Sequence, residues 1–572
     1  MAGIDGDGRV PAETETEIRD VPPWKPSGHE LAIMLTLAVI SLMVSVDATI
    51  IITSLSTIIQ AFNTSTTQGL WVGTAYLLTC AVTMPFIASL SDIFGRPRCL
   101  FASLLVFTTG SVLCAVAHSM RVLLAGRSIQ GVGGGGIIIL SLVIFTDIVP
   151  LRSRPQYVGI TQVAWAIGTC IGPVLGGAFA TPSLWRWVFY LMFPFCAVGL
   201  TLVPLVVRLK PRSATLREMF TRVDWIGALL FIPSATGFLI AISWGGTQFP
   251  WSDAAVVVPL VVGFLGLVAT VVYERFYAKE PFLRHSLFQS RSSFALYAGA
   301  FVQGLLLYGQ LYYIPLFFES VRSYSPIRTG VSMLAVMLTL IPAALVTGRL
   351  ISRTGTYRWA IWTGWALVGL GTGLTIVWDA GTSAPVWAVS LVVVGLGHGL
   401  LLNALNTAAQ AVCMAGDEGA ATAMYAFLRS FGMALGVGIG GSVFQNVMRI
   451  KLRRLHLPVD VASPQGAEET FVDVLGHLMR PAVEMSPPRR ADVLVSAYVY
   501  GLRGVFGFFC GLAGLALVVS AAIRHFNIDR HVVTDHTLDV EGRLASSLNR
   551  LGRNRTPGQM ESRAAEVIGH EA

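Results

Sequence analysis

Fourteen apolar runs, each near the length that crosses a bilayer, dominate this sequence; they fall at 31–52, 70–90, 100–118, 122–145, 157–180, 187–207, 225–244, 254–273, 294–318, 326–348, 358–378, 385–412, 422–446 and 497–523. About twenty apolar residues span the hydrocarbon core as a helix, and lipid offers no water to a backbone left open. The chain therefore reads as an all-α membrane protein with 14 transmembrane helices. Charged residues make up 13% of it, against roughly 25% in a soluble domain. The first run is too long and too late for a secretory signal, so residues 1–30 read as a polar tail before a retained span.

An even number of spans puts both termini on one side of the membrane. The loops after spans 2, 4, 6, 8 and 10 are rich in basic residues, Arg96, Arg98, Arg152, Arg154, Arg208 and Lys210 among them. The short loops opposite hold little beyond Arg121, Arg186, Arg322 and Arg328. The positive-inside rule then makes both termini cytoplasmic. The segment 447–496 falls outside although it opens MRIKLRRL. Long loops translocate largely regardless of charge, and its apolar patches suggest an amphipathic helix on the outer surface; a miscounted span is the alternative. Asn63-Thr64-Ser65 in the first external loop is a glycosylation acceptor. The tail 524–572 is polar; its basic ASSLNRLGRNR could touch anionic lipid, but reads more simply as solvated. The seven cysteines lie mostly in apolar runs without metal-ligand spacing, as buried thiols would, so no metal site is expected.

Ionisable residues inside spans are few. Asp47 lies in span 1, Arg127 in span 4 and Arg429 in span 13. A charge in lipid is costly unless paired or facing a cavity, so each is either a transport residue or half of a structural ion pair. A carboxylate beside an arginine can release and regain a proton as its surroundings change. Gln130, Gln162, Gln303, Gln310, Asn403, Asn406 and Gln410 interrupt otherwise apolar helices. Asn403, Asn406 and Gln410 recur at helical spacing, on one face that would turn towards a cavity or another helix. Tyr308, Tyr312, Trp165 and Trp359 fit packing or the interfacial belt better than ligand contact. GVGGGG at 131–136 lacks the GK[ST] of a phosphate loop and sits mid-membrane. No catalytic motif, ATP site or nucleic-acid module is present, so the chain is not expected to be an enzyme. Transport would need no cofactor and would draw on an ion gradient.

The stretch AIGTCIGPVLGG, Ala166 to Gly177, holds four glycines and a proline within an apolar run. In lipid, small residues four apart let helix backbones approach, and neighbouring groups repair the gap that proline leaves.

Several segments share an order. SVDATIII surrounds Asp47; WVGTAYLLT opens span 2; SLSDIFGRPRCL joins spans 2 and 3; LLAGRSIQGVGGG surrounds Arg127; GTCIGPVLGG lies in span 5; SWGGTQFPW follows span 7; LRSFGMALG lies in span 13. In this order they resemble the major facilitator superfamily, specifically its fourteen-span drug:proton antiporters of fungal toxin and multidrug efflux type, over roughly residues 30–525. The resemblance implies two six-helix bundles, 31–207 and 294–523, with two extra central helices in a linker at 208–293. It implies proton coupling through Asp47 and Arg127, and a gating latch from Asp92, Gly95 and Arg96. It also implies a span 5 at the junction of the halves, where Gly168, Gly172, Pro173, Gly176 and Gly177 permit close packing and bending.

Some positions depart from the family pattern. The loop motif's basic cluster is thinned to Arg96 and Arg98 around Pro97, and a glycine expected near its start is Ser89 or Ser91. Ser54 and Ser56 replace the usual alanine and proline in span 1. The expectation is a monomer in the plasma membrane, or alternatively the vacuolar membrane, exporting an amphipathic or lipophilic small molecule and admitting protons. The substrate cavity would lie among Gln130, Gln162, Gln303, Gln310, Asn403, Asn406 and Arg429. A siderophore or basic amino-acid carrier on the same scaffold, and a non-transporting sensor, are the alternatives.

Overall fold

The computed structural model describes residues 24–528 apart from positions 65, 182, 209–215, 247, 325, 415 and 455–486. The tail before residue 24, the tail from 529 with its basic stretch, and the amphipathic helix expected between spans 13 and 14 lie outside the described residues. Among the described residues, 14 helices are long and apolar enough to cross a membrane. They are α1 Gly28–Ala61, α2 Thr66–Phe94, α3 Arg96–Ala115, α4 Met120–Ile148, α5 Gly159–Ala178, α6 Met192–Val206 and α7 Trp225–Trp244. There follow α8 Ala254–Phe276, α9 Arg291–Ser320, α10 Pro326–Thr354, α11 Arg358–Ile376, α12 Ala384–Val412, α13 Glu418–Arg454 and α14 Pro487–Ser520. One-turn helices at Arg154–Tyr157 and Trp187–Tyr190 lead into α5 and α6.

Polar residues at the ends set where the helices begin. Ser27 and Glu30 exchange side-chain and backbone hydrogen bonds in a capping box at the start of α1. Asp224, Asp253 and Ser290 each accept a backbone N–H at the start of α7, α8 and α9.

One expectation is corrected here. MRIKLRR does not open an external loop at 447; it continues α13 as far as Arg454, and α14 begins at Pro487. Met448 and Leu452, four residues apart, are buried, while Lys451 lies over the ring of Tyr500 on α14. Summed hydropathy misses such a turn because its charges occupy the opposite face.

The two sets of six helices pair alike. In the first, α1 packs on α5 and α6, and α4 packs between α2 and α3. In the second, α9 packs on α13 and α14, and α12 packs between α10 and α11. The glycine run of α4 is what lets it fit. A Cβ on Gly131 would stand 2.4 Å from the Tyr76 carbonyl, and one on Gly133 2.4 Å from the Phe107 amide. Gly395 and Gly397 serve α12 in the same way, against Val336 and Val368. The sets meet where α13 touches α2 and α4, and where α5 touches α10. Of the two extra helices, α7 lies against α2 and α13, while α8 packs on α7 and is the least buried span.

Candidate functional site

Asp47 and Arg127, 80 residues apart in sequence, meet in the middle of the first bundle with both side chains buried. Arg127 Nη1 donates to Asp47 Oδ2 at 2.8 Å and to Gln130 Oε1 at 2.6 Å, and its Nε donates to the Val72 carbonyl at 3.0 Å. Gln130 Nε2 donates to Asp47 Oδ1 at 2.8 Å and to Ser111 Oγ at 2.9 Å. The guanidinium carbon lies 4.3 Å from the centroid of the Tyr76 ring. Taking two charges out of water is offset only when such extra hydrogen bonds saturate both ions. Here α1, α2, α3 and α4 each supply a partner. Arg127 and Gln130 share a face of α4 because they are three residues apart.

A second network joins the two sets of six helices at the end where α1 begins and α14 ends. Gly95, at φ +93°, turns the chain between α2 and α3 in a backbone region that favours glycine. That turn sets Arg96 back over Asp92, 2.6 Å from it, and 3.1 Å from Asp147 at the end of α4. Ser91 Oγ accepts a hydrogen bond from Arg96 Nη1, so one of the family-divergent serines is part of this network. Arg284, between α8 and α9, bridges Asp92 of the first bundle, at 3.3 Å, and Asp417 at the start of α13. Arg152 donates to the carbonyls of Ser352 and Arg353, and Arg154 donates to Gln410 at 2.8 Å. These described side-chain hydrogen bonds between the bundles all lie at this end.

The polar residues of the second bundle divide into three groups. Arg429 Nε on α13 donates to Gln303 Oε1 on α9 at 2.9 Å. Gln310 on α9 donates to Thr372 of α11 at 2.6 Å and faces His398 Nε2 of α12 at 3.0 Å. This trio lies on the first, third and fourth helices of its bundle, as Asp47, Ser111 and Arg127 do in theirs. Asn403 donates to the Ala344 carbonyl and so ties α12 to α10, whereas Asn406 accepts from Gln410 within α12 itself. Gln162 is half-buried, apart from the other groups.

The span 5 glycines face α1. A Cβ on Gly168 would stand 2.7 Å from Ser45 Cβ, and one on Gly172 2.0 Å from Thr49 Oγ1. Gly176 is buried, Gly177 has nothing against it, and the Pro173 side chain is outside the described residues. Asn63 is exposed just beyond α1 with φ +46°; Ser65 of its acceptor motif and the Ser56 side chain are not described. Of the seven cysteines, the six described are free thiols.

Sequence reasoning missed His398, Asp147, Arg154, Arg284 and Asp417. A search for every ionisable residue inside a span would have found His398 in GLGHGL. The others stand at helix ends, where charge is ordinary and pairing is invisible from the sequence. A groove of about 550 Å³ between α7, α8 and α13, lined by Trp251, Ile439 and Asn446, is apolar and away from both charged centres.

A model of the Major Facilitator Superfamily matches residues 37–437. The chain is 39% identical to the MFS transporter L2 of a Phoma species, over 90% of this chain and 85% of that one. It is 36% identical to the MFS efflux transporter aclA of Aspergillus oryzae, over 91% and 92% of the two chains. It is 32% identical to the efflux pump FUS6 of Gibberella moniliformis, over 95% and 96%. Among solved structures, the human organic anion transporter MFSD10 shares the fold with a TM-score of 0.57 at 15% identity, over 86% of this chain and 100% of that one. The chain therefore belongs to the major facilitator superfamily, as a fourteen-span membrane transporter of the fungal efflux type and not an enzyme.

Proposed function

We propose that this transporter exports an amphipathic or lipophilic small molecule in exchange for protons, across the plasma membrane with both termini in the cytoplasm. The buried Asp47–Arg127–Gln130 centre carries this reading. Asp47 accepts from two donors and is fully buried, so protonating it removes the charge that holds Arg127 in place. Arg127 then keeps only neutral partners: Gln130, the Val72 carbonyl and the face of Tyr76. Proton uptake and loss at one carboxylate thus alternate two packings of α1 against α4. The end-face network around Arg96, Arg284 and Asp417 supports the same reading: it supplies a closed cytoplasmic gate that the other state must open. Alternating access would move the two six-helix sets about the contacts of α2 with α13 and of α5 with α10. One charge falling through 100 mV releases about 2.3 kcal/mol, enough for roughly fiftyfold accumulation of substrate.

The test is proton movement in proteoliposomes holding purified protein, an imposed pH gradient and a pH-sensitive dye, as lipophilic compounds are added. Compounds that discharge the gradient with the wild type, and not with Asp47→Asn, establish antiport. Discharge that persists in Asp47→Asn removes the coupling assignment. Labelled substrate that crosses without any pH dependence removes antiport altogether.

A further inference from the structure

Arg429 is the unusual charge in this molecule. It lies eleven residues into α13, at membrane depth, where a cation needs a counter-charge or a polar cavity. Among the described residues it has neither an ion pair nor any hydrogen-bond partner beyond Gln303 Oε1, which takes its Nε. Its two terminal nitrogens, the pair that forms a fork on a carboxylate, have no partner among the described residues. Among the described residues, the ionisable groups that feel its charge include His398, Tyr308 and Tyr425, none of them a carboxylate. The side chain is half-buried, so the guanidinium is not sealed into the bundle.

A second observation is independent of the first. Gln303 is fully buried, yet its Nε2 donates to no group. A buried amide N–H₂ without an acceptor is destabilising and calls for explanation. Both orphans sit in one place and both are donors. They lack an acceptor, and a negatively charged one satisfies them together.

The surroundings say what the rest of the acceptor is made of. One turn along α9 from Gln303 is Leu307, and one turn along α13 from Arg429 is Met433. These two join Leu340 of α10 and Leu402 of α12 in an apolar cluster distinct from the main core, with Tyr308 packed on it. Residues four apart share a helix face, so the donors and the apolar wall are contiguous. Tyr308 is also within electrostatic reach of Cys80 on α2, which puts this face towards the first bundle.

We infer that Arg429 and Gln303 form the head-group site of the transport path, and that the exported molecule is a lipophilic acid carried as its anion, its carboxylate on Arg429 and its apolar body on the Leu307–Met433 wall. This rests on reading the space between the bundles as the path. It opposes a basic amino acid as cargo, because that cargo would meet an uncompensated cation.

The experiment uses the full chain, purified, and three probes with one naphthyl-alkyl body: the carboxylic acid, its primary amide and the primary amine. Binding is measured at pH 7.5, where the acid is ionised and the amine protonated. The wild type is expected to bind the acid at least about tenfold tighter than the amide or amine, as a charge-assisted pair in a dry site requires. Arg429→Gln brings the acid down to the amide's affinity; Arg429→Lys retains most of the preference; Gln303→Leu weakens the acid alone, by a few-fold. Monodisperse elution shows which variants are folded, and the lysine and leucine variants decide the matter should the glutamine variant not fold. An acid bound no tighter than its amide by the wild type, or a preference that survives Arg429→Gln, overturns the inference. Asp47-dependent proton movement driven by the amine would sink this inference and leave antiport standing. A clear acid preference in a protein that moves no protons would do the reverse.

Discussion

The two bundles each bury an arginine among polar groups, and they treat it in opposite ways. Arg127 is fully enclosed, bonded to a carboxylate, an amide and a carbonyl, with an aromatic ring over its face. Arg429 is half-buried and bonded through one nitrogen to one amide. The glutamines beside them differ in the same sense. Gln130 uses both ends, on Arg127, Asp47 and Ser111, whereas the Nε2 of Gln303 is unused. Twin scaffolds with the same helix pairing have thus produced one saturated centre and one that lacks an acceptor. Saturation suits a group whose charge is switched internally; deficiency suits a group whose partner arrives from outside. The fold is common to both, and the function lies in the difference.

This contrast can be broken by measurement. The largest effect belongs to Arg127→Ala, which leaves Asp47 as an uncompensated buried charge. It should lower stability by about 3–5 kcal/mol, and adding Asp47→Asn should restore much of that loss. Arg429→Ala orphans no carboxylate, only the Gln303 Oε1, and should cost less, about 1–3 kcal/mol. Thermal unfolding of the purified variants checks both, and equal losses at the two arginines would erase the distinction.

Gln130→Leu comes next. It strands Asp47 Oδ1 and takes an acceptor from Arg127, while Ser111 keeps its bond to the Phe107 carbonyl, and should cost about 2–3 kcal/mol. Gln303→Leu removes an amide already half unsatisfied and should be close to neutral. The same unfolding assay ranks the pair.

The smallest effect is expected at the closed end. Arg284 is paired with Asp92 and Asp417, but solvent reaches all three, and exposed pairs are worth about 0.2–1 kcal/mol each. Arg284→Gln should therefore leave stability almost unchanged while opening this end a few-fold more often. Cys413 is buried nearby and hydrogen-bonded to the Gln410 carbonyl, which makes it a native reporter. In a variant that keeps Cys413 as its only cysteine, a permeant maleimide should label the Arg284→Gln form several times faster. Unchanged labelling would show that the segment between α8 and α9 does not hold the gate.

Much of the architecture was legible because a membrane span is a local property. Twenty apolar residues in a row must form a helix wherever the rest of the chain goes. Hydropathy failed where amphipathicity took over, at Met448–Arg454, whose buried face a running average cannot see. For the site, Asp47, Arg127 and Arg429 were visible singly, while His398 and the buried Glu274 near the end of α8 were missed through incomplete search. Partnership was not visible. The sequence sets Gln130 one turn from Arg127 but does not say that Gln303 meets Arg429 or leaves an amide unused, and nothing says that the thinned loop motif recruits Ser91 to hold Arg96.

The sequence by itself determined the number of spans, the class of fold, the family, and the short list of polar residues that lipid makes costly. Each of these follows from composition over a few consecutive turns. Only the tertiary structure decided that Asp47 reaches Arg127 from 80 residues away, that Arg284 links the two bundles, and that Arg429 reaches no carboxylate among the described residues. The physical reason is that hydrophobic burial is fixed by the residue and its neighbours along one helix. Charge pairing is fixed by which helices the packing brings side by side, and in this molecule the close glycine contacts of α4 and α12 set that packing.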